Sequence, residues 1–253
     1  MEKVDVQPTA PQHHIHVPHD DHGALLLNKW GLVALVIVAV LVIVNQYFIL
    51  GLSGGPHFGS SSGFISLHGG SVDLSNVDVN KIESTPQGIA ALFPVKDIKN
   101  ADDAVQISIP TGTPEYGQAM AVSSDDPVKS LDLLARAYPA LKKQAEEKPE
   151  VWQRYLNLAA APRGISCEFC CGVGPQGVDA KGTSRCGCSH NPALQSVTLW
   201  LMLNTDYSDA QVLKEVYLWT SLFFPKDMVQ IALKISGGDT SVLEDLPGMV
   251  GGC

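Results

Sequence analysis

From Trp30 to Leu52 the chain runs for 23 residues without a charge, and only Asn45 and Gln46 break its apolar character. A helix needs about 20 such residues, rising ~1.5 Å each, to cross the hydrocarbon of a bilayer. The run therefore predicts a single transmembrane helix over 30–52. A buried core helix competes with this reading, but the unbroken stretch Gly31 to Val44 is hard to fit into a fold surrounded by water. A cleaved signal peptide would carry an apolar region of only about 7–15 residues, ending in small residues. No Cys stands just after the run to accept a lipid. Trp30 and Tyr47 suit the two interfaces, where amphipathic rings collect.

Lys29 abuts the run on its N-terminal side, and no Lys or Arg follows it until Lys81. The positive-inside rule then places the N-terminus in the cytoplasm and the C-terminal domain outside the cell membrane. Four segments follow: a His-rich tail over 1–29, the span over 30–52, a Gly/Ser linker over 53–72 and a folded domain over 73–253. The linker is flexible by composition. The chain carries 17 Lys+Arg against 26 Asp+Glu, a net charge of −9. Nucleic-acid binding needs a basic face, so it is excluded as a partner class. The expected partners are the lipid bilayer, a metal ion and a neighbouring membrane protein.

The domain reads as mainly helical. Gly88 to Phe93 and Ala104 to Ile109 fit either short helices or strands, and Pro110, Gly112, Pro114 and Gly117 mark a loop. Ser124-Asp125-Asp126 before Pro127 starts a helix. Its residues Leu131, Leu134, Ala135, Tyr138 and Leu141 recur at helical spacing, and Pro139 should kink or break it. A short helix follows from Pro149 to Ala160, with Trp152, Tyr155 and Leu156 inward. Asn191 as cap and Pro192 in the first turn open a helix to about Leu203. Ser208 and Gln211 form a capping box for the next, and a last one runs from about Pro225 to Ile235, stopping at Gly237-Gly238. Trp200, Trp219, Phe223 and Phe224 read as core.

Cysteine placement carries the functional signal. All six Cys follow residue 166, and seven of eight His precede residue 69. The remaining one, His190, stands two residues after Cys188. Cys167-Glu-Phe-Cys170-Cys171 is followed by a 14-residue loop with four Gly and then Cys186-Gly-Cys188-Ser-His190. Such a loop has too little apolar surface to order itself, so a covalent or metallic tie across its ends is expected. Two Cys groups flanking a short Gly-rich loop suit a tetrahedral soft ion. Gly187 would let Cys186 and Cys188 point the same way. The helix opening at Asn191 would favour thiolates beside its N-terminus. His190 reads as a ligand or as a partner that orients one.

Three chemistries compete for these residues. A metal centre would draw on Cys167, Cys170, Cys171, Cys186, Cys188, His190 and, if the C-terminal arm reaches, Cys253. Zinc leads as the ion, with copper or an iron–sulfur cluster as alternatives because thiols are in excess of four. Structural disulfides suit an extracytoplasmic domain. Thiol–disulfide exchange through Cys167 and Cys170 is the third. Binding is favoured over catalysis, since His is scarce outside the cluster and no His-Glu-x-x-His, phosphate-binding or EF-hand loop is present. Gly59-x-Ser61-x-Gly63 and Gly172-x-Gly174-x-x-Gly177 match motifs formally, but neither has the strand and helix its chemistry requires. The tail, with His13, His14, His16, His19 and His22, is either a solvated polar segment or a second metal-binding element.

Cys186-Gly187-Cys188 followed by His190-Asn191 resembles the end of the signature of the PCYCGC-motif proteins. That family is membrane-attached, extracytoplasmic and Cys-rich, and the resemblance implies metal handling. It covers about six residues. Thr183, Ser184 and Arg185 stand where the signature opens with Pro-Cys-Tyr, so one Cys of the motif is missing here. A Cys pair ahead of helices on a tethered domain is also similar to the thiol-redox subunits of cytochrome c maturation.

Overall fold

The computed structural model describes residues 72–166, Phe169 and residues 174–244. The His-rich tail, the span over 30–52 and nearly all of the linker lie outside these residues. So do Cys167, Cys170, Cys171 and Cys253. Among the described residues no helix is long and apolar enough to cross a membrane.

The described chain is helical, and its only extended pairing is an isolated bridge between Val178 and Ser184. Asp73 and Asp78 each cap a 3-10 turn by accepting the backbone N–H two residues on. Helix α1 is Thr85–Leu92, with Ser84 as its cap, and α2 is Ala101–Ser108, capped by Asn100. Both segments that read equally as strand are thus helical, each started by a side chain that accepts an otherwise unpaired N–H. The Pro/Gly-marked loop after them contains a four-residue helix, α3, Gly117–Met120.

Helix α4 spans Pro127–Glu146 and is capped by Asp126. It runs through Pro139 without a break, so of the kink or break expected from sequence the break does not occur. Pro139 lies on the exposed side, where the carbonyl left without its N–H can turn to water. Leu134 and Leu141, both buried, hold the helix to the core on either side of it. Helix α5 is Pro149–Ala159, with Tyr155 fully buried and Trp152 and Leu156 half-buried.

Helix α6, His190–Asn204, is the centre of the domain. Ala193 to Leu199 are buried without interruption, together with Leu201 and Met202. A helix buried on nearly all sides must be surrounded, and α4, α5 and α7 pack around this one, with the polar Gln195, Ser196 and Thr198 each hydrogen-bonded inside the core. Helix α7, Asp209–Phe223, begins with the Ser208–Gln211 capping box, both halves of which are formed. Helix α8, Pro225–Ser236, follows directly and ends at Gly237. Trp219 is buried, while Trp200, Phe223 and Phe224 are half-buried against the core, as aromatic residues at helical spacing should be.

Candidate cysteine site

The site is built where the chain leaves α5 and re-enters the core at α6. After Ala159 the backbone turns, and Gly164 takes φ +81, a left-handed conformation that costs a residue with a Cβ. Ile165 and Ser166 are fully buried. Gly164 N–H donates to the Pro175 carbonyl at 3.1 Å, and Ser166 Oγ donates to the Gly174 carbonyl. Residues 164–166 are thereby fastened to 174–175.

Beyond these bonds, residues 174–185 make hydrogen bonds of their own. Gly177 N–H donates to the Ala159 carbonyl at 3.0 Å, and Val178 is fully buried. Asp179 Oδ1 accepts the N–H groups of Lys181 and Thr183, both at 2.8 Å. Those donors hold the Asp179 carboxyl below the ordinary carboxylate range. Gly182, at φ +75, completes the turn beneath the Trp152 ring. One buried valine and a carboxylate that gathers backbone donors contribute to the order of residues 174–185.

Helix α6 grips both sides of this frame through polar side chains. Asn191 Nδ2 donates to the Gly177 carbonyl at 2.9 Å and to Ser184 Oγ at 2.7 Å. Gln195, one turn on, donates to the Ile165 carbonyl at 3.3 Å and to Asn191 Oδ1 at 3.1 Å, and it accepts from the Tyr155 hydroxyl at 2.9 Å. Asn191 is therefore not the helix cap that the sequence suggested. The helix begins one residue earlier, with Ser189 at the cap position and no side-chain cap bond. The amide of Asn191 is committed to the loop, where a buried carbonyl left without a partner would cost more than a missing cap.

Cys186 and Cys188 lie at the end of this frame, both half-buried. Their sulfurs are 3.2 Å apart, and Cys188 N–H points to Cys186 Sγ at 3.5 Å. Ser184 Oγ donates to the Cys186 carbonyl at 2.8 Å, which fixes the turn between them. The expectation that both thiols share a direction agrees with this geometry. The 3.2 Å separation is nearer the roughly 3.8 Å of two thiolates on one tetrahedral ion than the ~2.05 Å of a disulfide. An amide donor toward sulfur favours the thiolate form that a metal or a nucleophilic step requires.

His190 is the first residue of α6. Its ring packs against Phe223 at 5.2 Å and Phe224 at 5.0 Å between centroids. Its Nδ1 is buried with no hydrogen-bond partner. Phe169, which stands between Cys167 and Cys170 in sequence, is buried with its ring 5.1 Å from the same Phe224. One aromatic ring, that of Phe224, thus contacts both His190 and Phe169. Among the described residues no three His, Cys, Asp or Glu side chains converge as a metal-binding group. Cys186, Cys188 and His190 do not make one by themselves, and the remaining candidate ligands Cys167, Cys170, Cys171 and Cys253 lie outside the described residues.

The chain matches no protein-family model, no curated protein and no solved structure.

Sequence reasoning found the two Cys groups but not what frames them. Asn191 and Gln195 hold the site at sequence separations of 14 and 30 residues, and no local pattern marks such bonds. The one available signal was two amides a helical turn apart at the start of an otherwise apolar helix.

Proposed function

We propose that this chain is a membrane-anchored metal-binding protein. Its extracytoplasmic helical domain would hold a soft ion through the Cys167/Cys170/Cys171 and Cys186/Cys188 groups, with Cys253 as a further donor. Zinc is the first choice, and copper or an iron–sulfur cluster are the alternatives. The observation that carries the reading is the Cys186–Cys188 pair, with sulfurs 3.2 Å apart on a hydrogen-bonded turn and an amide directed at one of them. Hydrogen bonds from Asn191 and within 174–185 hold the backbone on which this pair sits. His190, with a buried Nδ1 lacking a partner, supplies a nitrogen donor or orients the sulfur groups. The tether over 30–52 would confine this capacity to a membrane surface, which suits sensing or delivery.

A second reading, thiol–disulfide exchange, draws on the same pair, because two neighbouring thiols are also the reduced form of a redox couple. Both readings are tested together by purifying the full chain anaerobically in detergent and measuring bound metal and reactive thiols on one sample. Metal binding predicts a stoichiometric ion with masked thiols, lost in Cys186→Ser/Cys188→Ser. Redox exchange predicts no ion and two thiols that oxidise reversibly. No ion together with permanently oxidised cysteines would overturn both.

A further inference from the structure

Glu215 is a carboxyl in the wrong place for a solvated helix. It lies on α7 with 4% of its surface exposed, one turn before the buried Trp219. The Tyr116 hydroxyl donates to Glu215 Oε2 at 2.9 Å, and Trp219 Nε1 donates to the Tyr116 oxygen at 2.7 Å. A phenol has one proton to give. With Trp219 as donor to its oxygen, that proton goes to the carboxyl. Tyr116 is itself buried, with its ring 6.0 Å from Trp200 of α6.

Tyr116 belongs to the loop between α2 and α4, and that loop is fastened to itself. Ser124 N–H donates to the Gly112 carbonyl at 2.8 Å, Ser123 Oγ donates to the same carbonyl at 3.0 Å, and Gly112 N–H donates to Asp125 Oδ1 at 2.7 Å. The base is closed independently of α7. The tip, at Tyr116, joins α7 through the Glu215 carboxyl. We propose that residues 112–124 form a proton-controlled strap, docked on α7 while Glu215 is neutral and lifted at its tip when Glu215 ionises.

The energetics follow from what surrounds the carboxyl. One hydroxyl cannot replace the water shell of an ionised carboxylate, so burial disfavours the charge and pushes Glu215 up to about 7 from 4.5. The Tyr116 hydroxyl bond and Lys214, on the same helix, ease ionisation without offsetting the burial, and Glu115, on the strap, opposes it. Tyr207, before α7, faces the same group, and its hydroxyl reaches Glu115 at 3.5 Å. Burial holds Tyr116 and Tyr207 above the ordinary phenol range, so neither titrates near neutrality. Lifting the tip hydrates the carboxylate and moves Glu115 away from it, while the base bonds stay made.

Amide hydrogen exchange on the full chain in detergent, at pH 5.5 and 8.5 with times corrected for the intrinsic rate, reads the strap directly. Peptides covering 112–122 should lose protection by about tenfold or more at pH 8.5, while α4 and α6 peptides keep theirs. Glu215→Gln should hold the strap closed at both pH values. Tyr116→Phe, which keeps the ring and loses the tie, should loosen it already at pH 5.5. Equal wild-type protection of 112–122 at both pH values overturns the proposal, whatever the variants do. The same pH dependence in a folded Glu215→Gln overturns it too, as does full protection in Tyr116→Phe.

Discussion

The helical core and the cysteine frame are ordered by opposite means. Around α6, seven consecutive buried residues from Ala193 to Leu199 meet α4, α5 and α7, and the order comes from apolar surface withdrawn from water. Among the described residues between Gly164 and His190, only Ile165, Ser166, Phe169, Gly177, Val178 and Gly182 are buried. Its order comes from Asp179, Asn191 and Gln195, each satisfying backbone groups.

The contrast can be broken from either side. The largest effect should come from the core. Leu199→Ala, at a fully buried position, should cost about 2–5 kcal/mol in a urea titration. A loss under about 1 kcal/mol would mean that α6 is not the centre of the fold.

The next effect is a pH dependence located in the core. Glu215 is neutral in the folded domain up to about pH 7 but ionises at about 4.5 when unfolded. The unfolded chain therefore releases its proton first. The stability tied to the neutral carboxyl is complete below pH 4.5 and is lost as pH rises toward 7. The total is at most about 3 kcal/mol by linkage. Thermal unfolding between pH 5 and 8 should show this decline in wild type and a flatter profile in Glu215→Gln. A steeper profile in the variant would reverse the assignment.

Asn191→Ala tests the frame. It removes one of the two donors to the Gly177 carbonyl, leaving the Arg185 N–H at 3.2 Å, and takes a partner from Gln195, at a cost of about 1–3 kcal/mol. The loss should appear as faster exchange of amides in 177–185, and an unchanged loop would show that the frame has other support. The smallest effect on stability is expected from Cys186→Ser/Cys188→Ser in the metal-free reduced protein. Both side chains are half-buried and similar in size, so the change should be within about 1 kcal/mol. A loss as large as that of Asn191→Ala would make the thiols part of the scaffold.

The core was legible because its signals are local. Asp126-Pro127, Ser208 with Gln211, and Pro225 mark helix starts through groups within four residues, and the apolar spacing inside each helix does the rest. Shorter elements were less clear. Helices α1 and α2 have eight residues each, too few for a period to separate helix from strand, and α3 hides among Pro and Gly. Asn191 misled because the same amide serves as a cap or as a clamp, and only a carbonyl 14 residues earlier decides between them. Glu215 left a trace that went unread. A carboxylate one turn before Trp219, on the apolar face with Val212 and Val216, cannot reach water once that face is buried. The cysteine spacing marked Cys186 and Cys188 as candidates, while the residues that frame them belong to distant parts of the sequence.

The most direct test follows one titration with two readouts. Cd²⁺, a soft divalent probe, is added to the reduced metal-free full chain in detergent, with thiolate-to-metal absorption and amide exchange over 177–185 recorded at each step. Saturation near one ion per chain is predicted, with those amides already protected before the first addition. Protection that appears only with the ion would contradict a frame ordered by its own hydrogen bonds, and no thiolate absorption at any ratio would contradict the metal centre itself.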